Sequence, residues 1–125
     1  MMEWVVKACW LALAAVHAAP AAVLFRPGLA QTLYGIPAEG TAGLLVSHRA
    51  GLFLAVLVVA LFAAASPGAR RAASLVVGIS VLSFLVLYAQ AGLPQGPLRT
   101  VAVVDALALP LLALVTVMAW REGDA

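Results

Sequence analysis

The sequence predicts an all-α integral membrane protein, an antiparallel four-helix bundle, and three observations predict it. Hydrophobic residues fill 66% of the 125 positions and charged residues 10%, against roughly half and a quarter in soluble domains. The apolar residues fall in four blocks of about 20, the length an α-helix needs to cross a hydrocarbon core of about 30 Å. The later connections, SPGAR and GLPQGP, are so short that they force antiparallel neighbours. The whole chain, 1–125, reads as a single membrane domain with no stretch left over for a soluble catalytic domain.

Span 1 covers about residues 4–25. Lys7, the apolar run and the small-residue step Val16-His17-Ala18 have the pattern of a cleavable signal peptide. The run continues through AAPAAVLF, however, which favours a retained span. The first connection, RPGLAQTLYGIPAEGT, is long enough for a short interfacial helix carrying Leu29, Leu33, Tyr34 and Ile36, ended by Gly35 and Pro37. An irregular loop is the alternative. Span 2 covers about 42–65, ended by Pro67-Gly68, and span 3 about 72–91, ended by Gly92-Leu93-Pro94. Span 4 covers about 98–120.

Four spans put both termini and the 66–71 loop on one side. That side carries Lys7, Arg70, Arg71 and Arg121; the other carries Arg26 and Arg99. The excess of positive charge places both termini in the cytoplasm. Trp4 and Trp120 flank one face, Tyr34 and Tyr88 the other, as interfacial aromatics do. A net charge of +2, scattered along the chain, does not point to nucleic acid. A lone cysteine, Cys9, forms neither an internal disulfide nor a Cys-x-x-Cys redox pair.

The informative residues are the polar ones inside the spans. Counted from the outer ends, His48 and Arg49 lie six and seven residues in, Asp105 seven, His17 and Ser83 eight. At 1.5 Å per residue all five sit about 9–12 Å deep, so four helices each deliver a polar group to one layer. Arg49 and Asp105 are the only opposite charges within the spans. A charge at mid-membrane costs on the order of 2.5–3.5 kcal/mol on insertion scales, so an Arg49–Asp105 ion pair is expected. His48 lies about 100° around the helix from Arg49, so the two cannot both face one way. Pro20 and Pro110 leave the carbonyls of Val16 and Ala106 without their helical donors, next to His17 and Asp105. Ser80, Ser83 and Gln90 share one face of span 3, expected to face the bundle.

Three functional readings follow. The first is a structural or partner-assisting bundle, its polar layer fixing helix register. The second is a membrane-embedded pocket for a lipid, quinone or other amphipathic ligand held by Arg49 and His48. The third is a haem or metal site at His17 and His48, with Asp105 as a third metal ligand. No His-x-x-x-His pair or second carboxylate supports the third, so no metal and no cofactor are assigned. The partners expected are the bilayer itself and either a second copy or a larger membrane protein.

Leu33-Tyr34-Gly35, His48-Arg49-Ala50 followed by Phe53, Ser83-Phe84 and Asp105 together resemble a family of short four-span bacterial membrane proteins, broadly DoxX-like in shape. The resemblance covers nearly the whole chain and implies a four-helix bundle in the bacterial inner membrane, with Tyr34, His48, Arg49 and Asp105 as residues to test. Members often bear the name phosphopantetheine adenylyltransferase. That soluble enzyme has an HxGH motif, whereas here His17 precedes Ala-Ala-Pro and His48 precedes Arg-Ala-Gly. No glycine-rich loop before a helix offers a cradle for ATP phosphates. The sequence therefore leans away from an enzyme, and no catalytic residue is assigned.

Overall fold

The computed structural model describes residues 2–122. Among them there is no strand, and the helices follow in order: α1 (Met2–Val16), α2 (Ala18–Ala22), α3 (Leu29–Tyr34), α4 (Gly40–Ala65), α5 (Arg70–Gln90) and α6 (Pro97–Glu122). A 3₁₀ turn over Pro67–Ala69 leads into α5. Three helical stretches are long and apolar enough to cross a membrane: Gly40–Ala65, Pro67–Gln90 and Pro97–Arg121. Their outer faces carry large apolar side chains in the open, such as Leu44 at 70% and Leu107 at 72% exposure. Apolar surface on that scale suits lipid rather than water.

The first expected span is not one helix. It breaks at His17, whose φ of −92° and ψ of 0° lie in the bridge region. The His17 N–H bonds to Ala14 at 3.1 Å, a 3₁₀-type closure of α1. Pro20 follows as the third residue of α2, inside its first turn, where a missing N–H removes no helical bond. The first connection does contain a short helix, α3. Gly35 ends it with a φ of 70°, a conformation that suits glycine, and the Ile36 N–H folds back to the Ala30 carbonyl.

α1 packs against α4 and α6, and α5 packs against α4 and α6, with the α4–α5 seam the loosest of these four. The close α1–α4 approach follows from small residues: Ala60, Ala63 and Ala64 of α4 are buried in one cluster with Val6, Trp10 and Leu13 of α1. Below the seam lies a core of Val6, Trp10, Leu13, Val77, Val81, Leu112 and Val115. A second cluster joins Val23, Ala30, Tyr34, Val46 and Ala50, holding α3 over one end of α4.

The opposite end is tied by two adjacent arginines. Arg70 is 2% exposed. It donates through Nε to the Ala63 carbonyl at 2.8 Å and through Nη2 to the Ala64 carbonyl at 3.2 Å. These are among the last carbonyls of α4, which have no helical donor. The same guanidinium meets Glu3 of α1 in two bonds, at 2.8 and 3.1 Å. Arg71 donates to the carbonyls of Ala119 and Trp120 near the end of α6, and the Trp120 indole donates to Ser74 at 3.1 Å. The start of α1, the end of α4, the start of α5 and the end of α6 therefore share one end of the molecule.

Candidate functional site

The open α4–α5 seam forms a cleft of about 630 Å³. Its walls are mostly apolar, from Leu52, Phe53 and Val56 of α4 and from Val76, Ile79 and Leu87 of α5; Tyr34 and Leu98 reach its outer end. Arg49 projects into it, because Arg49 and Phe53 are one turn apart on the same face of α4. Its guanidinium carbon lies 5.4 Å from the centre of the Tyr34 ring, 4.8 Å from that of Phe53 and 5.7 Å from that of Phe84. Three helices thus present aromatic faces to one cation, each contact stabilising by about 0.5–2 kcal/mol. Aromatic faces meet the charge but accept none of the guanidinium's in-plane N–H bonds.

The expected Arg49–Asp105 ion pair is not a contact. Arg49 forms no hydrogen bond and no contact ion pair with any described residue, whereas Arg70 does form such a pair, with Glu3. Asp105 is half-buried on α6, near enough for the Arg49 charge to act on it, but Tyr34, Phe53 and Phe84 occupy the ground around the guanidinium. Tyr34, outside the long helices, feels both charges; burial is the larger effect and pushes its phenol above the ordinary value, so it stays a neutral donor.

His17 and His48 part company. His17 is buried, its ring 5.9 Å from that of Phe53. Nδ1 lies 2.8 Å from the Leu13 carbonyl, one of the last carbonyls of α1, and Nε2 lies 3.5 Å from the Ser80 hydroxyl. His48 is exposed and does not line the cleft, so the α4 side chain that reaches the site is Arg49. Two histidines in such different places do not frame a haem, and no three His, Cys, Asp or Glu among the described residues are grouped to hold a metal ion. Ser83 lines the cleft but is exposed there, as is Gln90 on the same helix, so this face of α5 borders an opening rather than the packed interior.

Phe53, Phe84 and Ser80 are the site residues that a search for charges passed over. Phe53 was visible as the residue four places after Arg49, and Ser80 as one turn from Phe84. The chain matches no family model, no curated protein and no solved structure.

Proposed function

We propose that the chain is a four-span membrane protein, with α1 and α2 forming one interrupted span, whose α4–α5 cleft binds the polar end of an amphipathic molecule at Arg49. A single observation carries this reading: Arg49 stands in a mostly apolar cleft with its guanidinium among three rings and its hydrogen-bond donors unused by the described residues. Arg49 is half-buried, and where the open side of the cleft is hydrocarbon rather than water a charged donor without an acceptor is costly. A carboxylate or phosphate oxygen would meet those donors, and arginine is the side chain best matched to either. The seam opens sideways between two apolar helices, so a ligand would enter from the bilayer and leave its tail along Val56, Val76 and Ile79. Of the residues that carry the resemblance to short four-span bacterial membrane proteins, Tyr34, Arg49, Phe53, Ser83 and Phe84 line this cleft, which supports the same reading, while His48 and Asp105 lie outside its lining. Lys7, Arg70, Arg71 and Arg121 lie at the end where the termini sit, and the positive-inside rule puts that end in the cytoplasm.

The test is native mass spectrometry of protein extracted in mild detergent. The wild type and Arg99→Gln should retain an anionic amphiphile, and Arg49→Gln should retain at least about tenfold less, the equivalent of 1.4 kcal/mol. Equal retention by all three proteins would remove Arg49 as the anchor, and no retention by any would leave a bundle that only assists a partner.

A further inference from the structure

Ser80 lies one helical turn from Phe84 along α5, toward the middle of the helix and away from Arg49, and it opens into the same cleft. The hydrogen-bond chain behind it has a direction. The Leu13 carbonyl can only accept, so His17 Nδ1 carries the proton of that 2.8 Å bond. In the neutral imidazole Nε2 is then an acceptor, and the Ser80 hydroxyl, at 3.5 Å, turns its proton toward it. The direction is anchored where the helix breaks: α1 ends at Val16, and its late carbonyl at Leu13 needs a donor from outside the helix. With its own proton directed at His17, Ser80 Oγ faces the cleft with lone pairs. The Arg49 guanidinium carbon lies 5.7 Å from the centre of the Phe84 ring, and Ser80 is one turn along α5 from Phe84, so the cleft has two neighbouring poles. Arg49 can only donate; Ser80 accepts.

We infer that the cleft selects a single-chain amphiphile that carries a hydroxyl close to its anionic group, the anion on Arg49 and the hydroxyl donating to Ser80. The inference rests on the Arg49 reading above and adds the second pole. Beyond Ser80 the walls are Val56, Val76 and Ile79, with no polar group for a third station. Two kinds of molecule share this chemistry: a 3-hydroxy fatty acid, with a carboxylate, and a monoacylglycerol phosphate, with a phosphate.

The experiment measures binding of defined probes to the purified full chain in detergent. Each hydroxylated probe is paired with a counterpart lacking only the hydroxyl: 3-hydroxytetradecanoate with tetradecanoate, and 1-tetradecanoylglycerol 3-phosphate with 3-(tetradecanoyloxy)propyl phosphate. A hydrogen bond to the hydroxyl should give a preference of about five- to tenfold within at least one pair. The pair that shows it tells a carboxylate ligand from a phosphate one. Ser80→Ala should bring the ratio in that pair close to one while leaving the probe without a hydroxyl bound as tightly as before, which also reports that the variant is folded. Arg49→Gln should weaken all four probes. A wild-type ratio of one in both pairs, or a preference that survives Ser80→Ala, overturns the second pole and leaves the Arg49 reading standing. No binding of any probe by the wild type overturns both.

Discussion

The guanidinium carbon of Arg49 lies 4.8 Å from the centre of the Phe53 ring, one turn along the same helix, and no described carboxylate touches it. This geometry sets the energetics of the pair. A double-mutant cycle on Arg49→Leu and Phe53→Leu, read by thermal unfolding in detergent, should give a coupling of about 0.5–2 kcal/mol. Asp105→Asn should cost less than the roughly 3–5 kcal/mol that follows when one partner of a buried contact pair is removed, because its attraction to Arg49 acts across a gap. A loss of that full size at Asp105, with no coupling to Phe53, would restore the contact pair and remove the aromatic account.

Arg70 replaces water for the end of α4. Its bonds to the Ala63 and Ala64 carbonyls are made by a buried side chain, and those carbonyls have no other donor once the chain turns at Ser66. Arg70→Met keeps much of the aliphatic stem and loses both bonds. The expected cost is on the order of 2–3 kcal/mol, visible as a lower melting temperature. Arg70→Lys should recover only part of it, since one ammonium cannot reproduce a fork that serves two carbonyls and a carboxylate together. Full rescue by lysine would show that charge alone matters at this position.

Glu3 gives the same cluster a pH dependence. The hydrogen bond from Arg70 holds its carboxyl below the ordinary value of 4.5, with smaller help from the charges of Arg70 and Lys7 against a burial effect of the opposite sign. A carboxyl whose value falls on folding stabilises the fold above its unfolded value, and the contribution disappears as pH drops through the folded one. The difference in melting temperature between wild type and Glu3→Gln should therefore be constant near neutrality and shrink below about pH 4.5. Glu3 is 49% exposed, so solvent screens the pair and the effect is small. A gap that widens on acidification would contradict the assignment.

The long apolar helices and their stops were legible in the sequence because Pro67-Gly68 and Gly92-Leu93-Pro94 interrupt otherwise unbroken runs. The depth of Arg49 was legible too, since it is a count of residues from a helix end. Its partner was not. Counting opposite charges finds Asp105, but three rings delivered by α3, α4 and α5 become neighbours only once the helices are packed. The break at His17 had one visible cause in Pro20; the other, the Nδ1 bond to Leu13, depends on how the ring turns back along α1. Arg70 and Arg71 read as loop charges that orient the chain, and nothing in their spacing says that each reaches a different helix end.

Gly43 couples this fold to the cleft. A Cβ at this buried position in the first turns of α4 would lie 2.1 Å from the Ala38 carbonyl oxygen and 2.9 Å from that of Pro37. Both obstacles are backbone, so neither can swing aside as a side chain would. The segment that must move joins α3 to α4 and carries Ile36 at the outer end of the cleft, next to Tyr34. Gly43→Ala should thus cost about 1–3 kcal/mol by overpacking and also weaken whatever binds at Arg49. Gly78 on α5 is the matched control: a Cβ there meets nothing within 4 Å, and alanine is the better helix former by up to about 1 kcal/mol. Gly78→Ala should leave melting unchanged or raise it, with ligand retention intact. If Gly43→Ala behaves like Gly78→Ala in both measurements, the 37–39 backbone does not press on α4, and the support it lends to Tyr34 over Arg49 is gone.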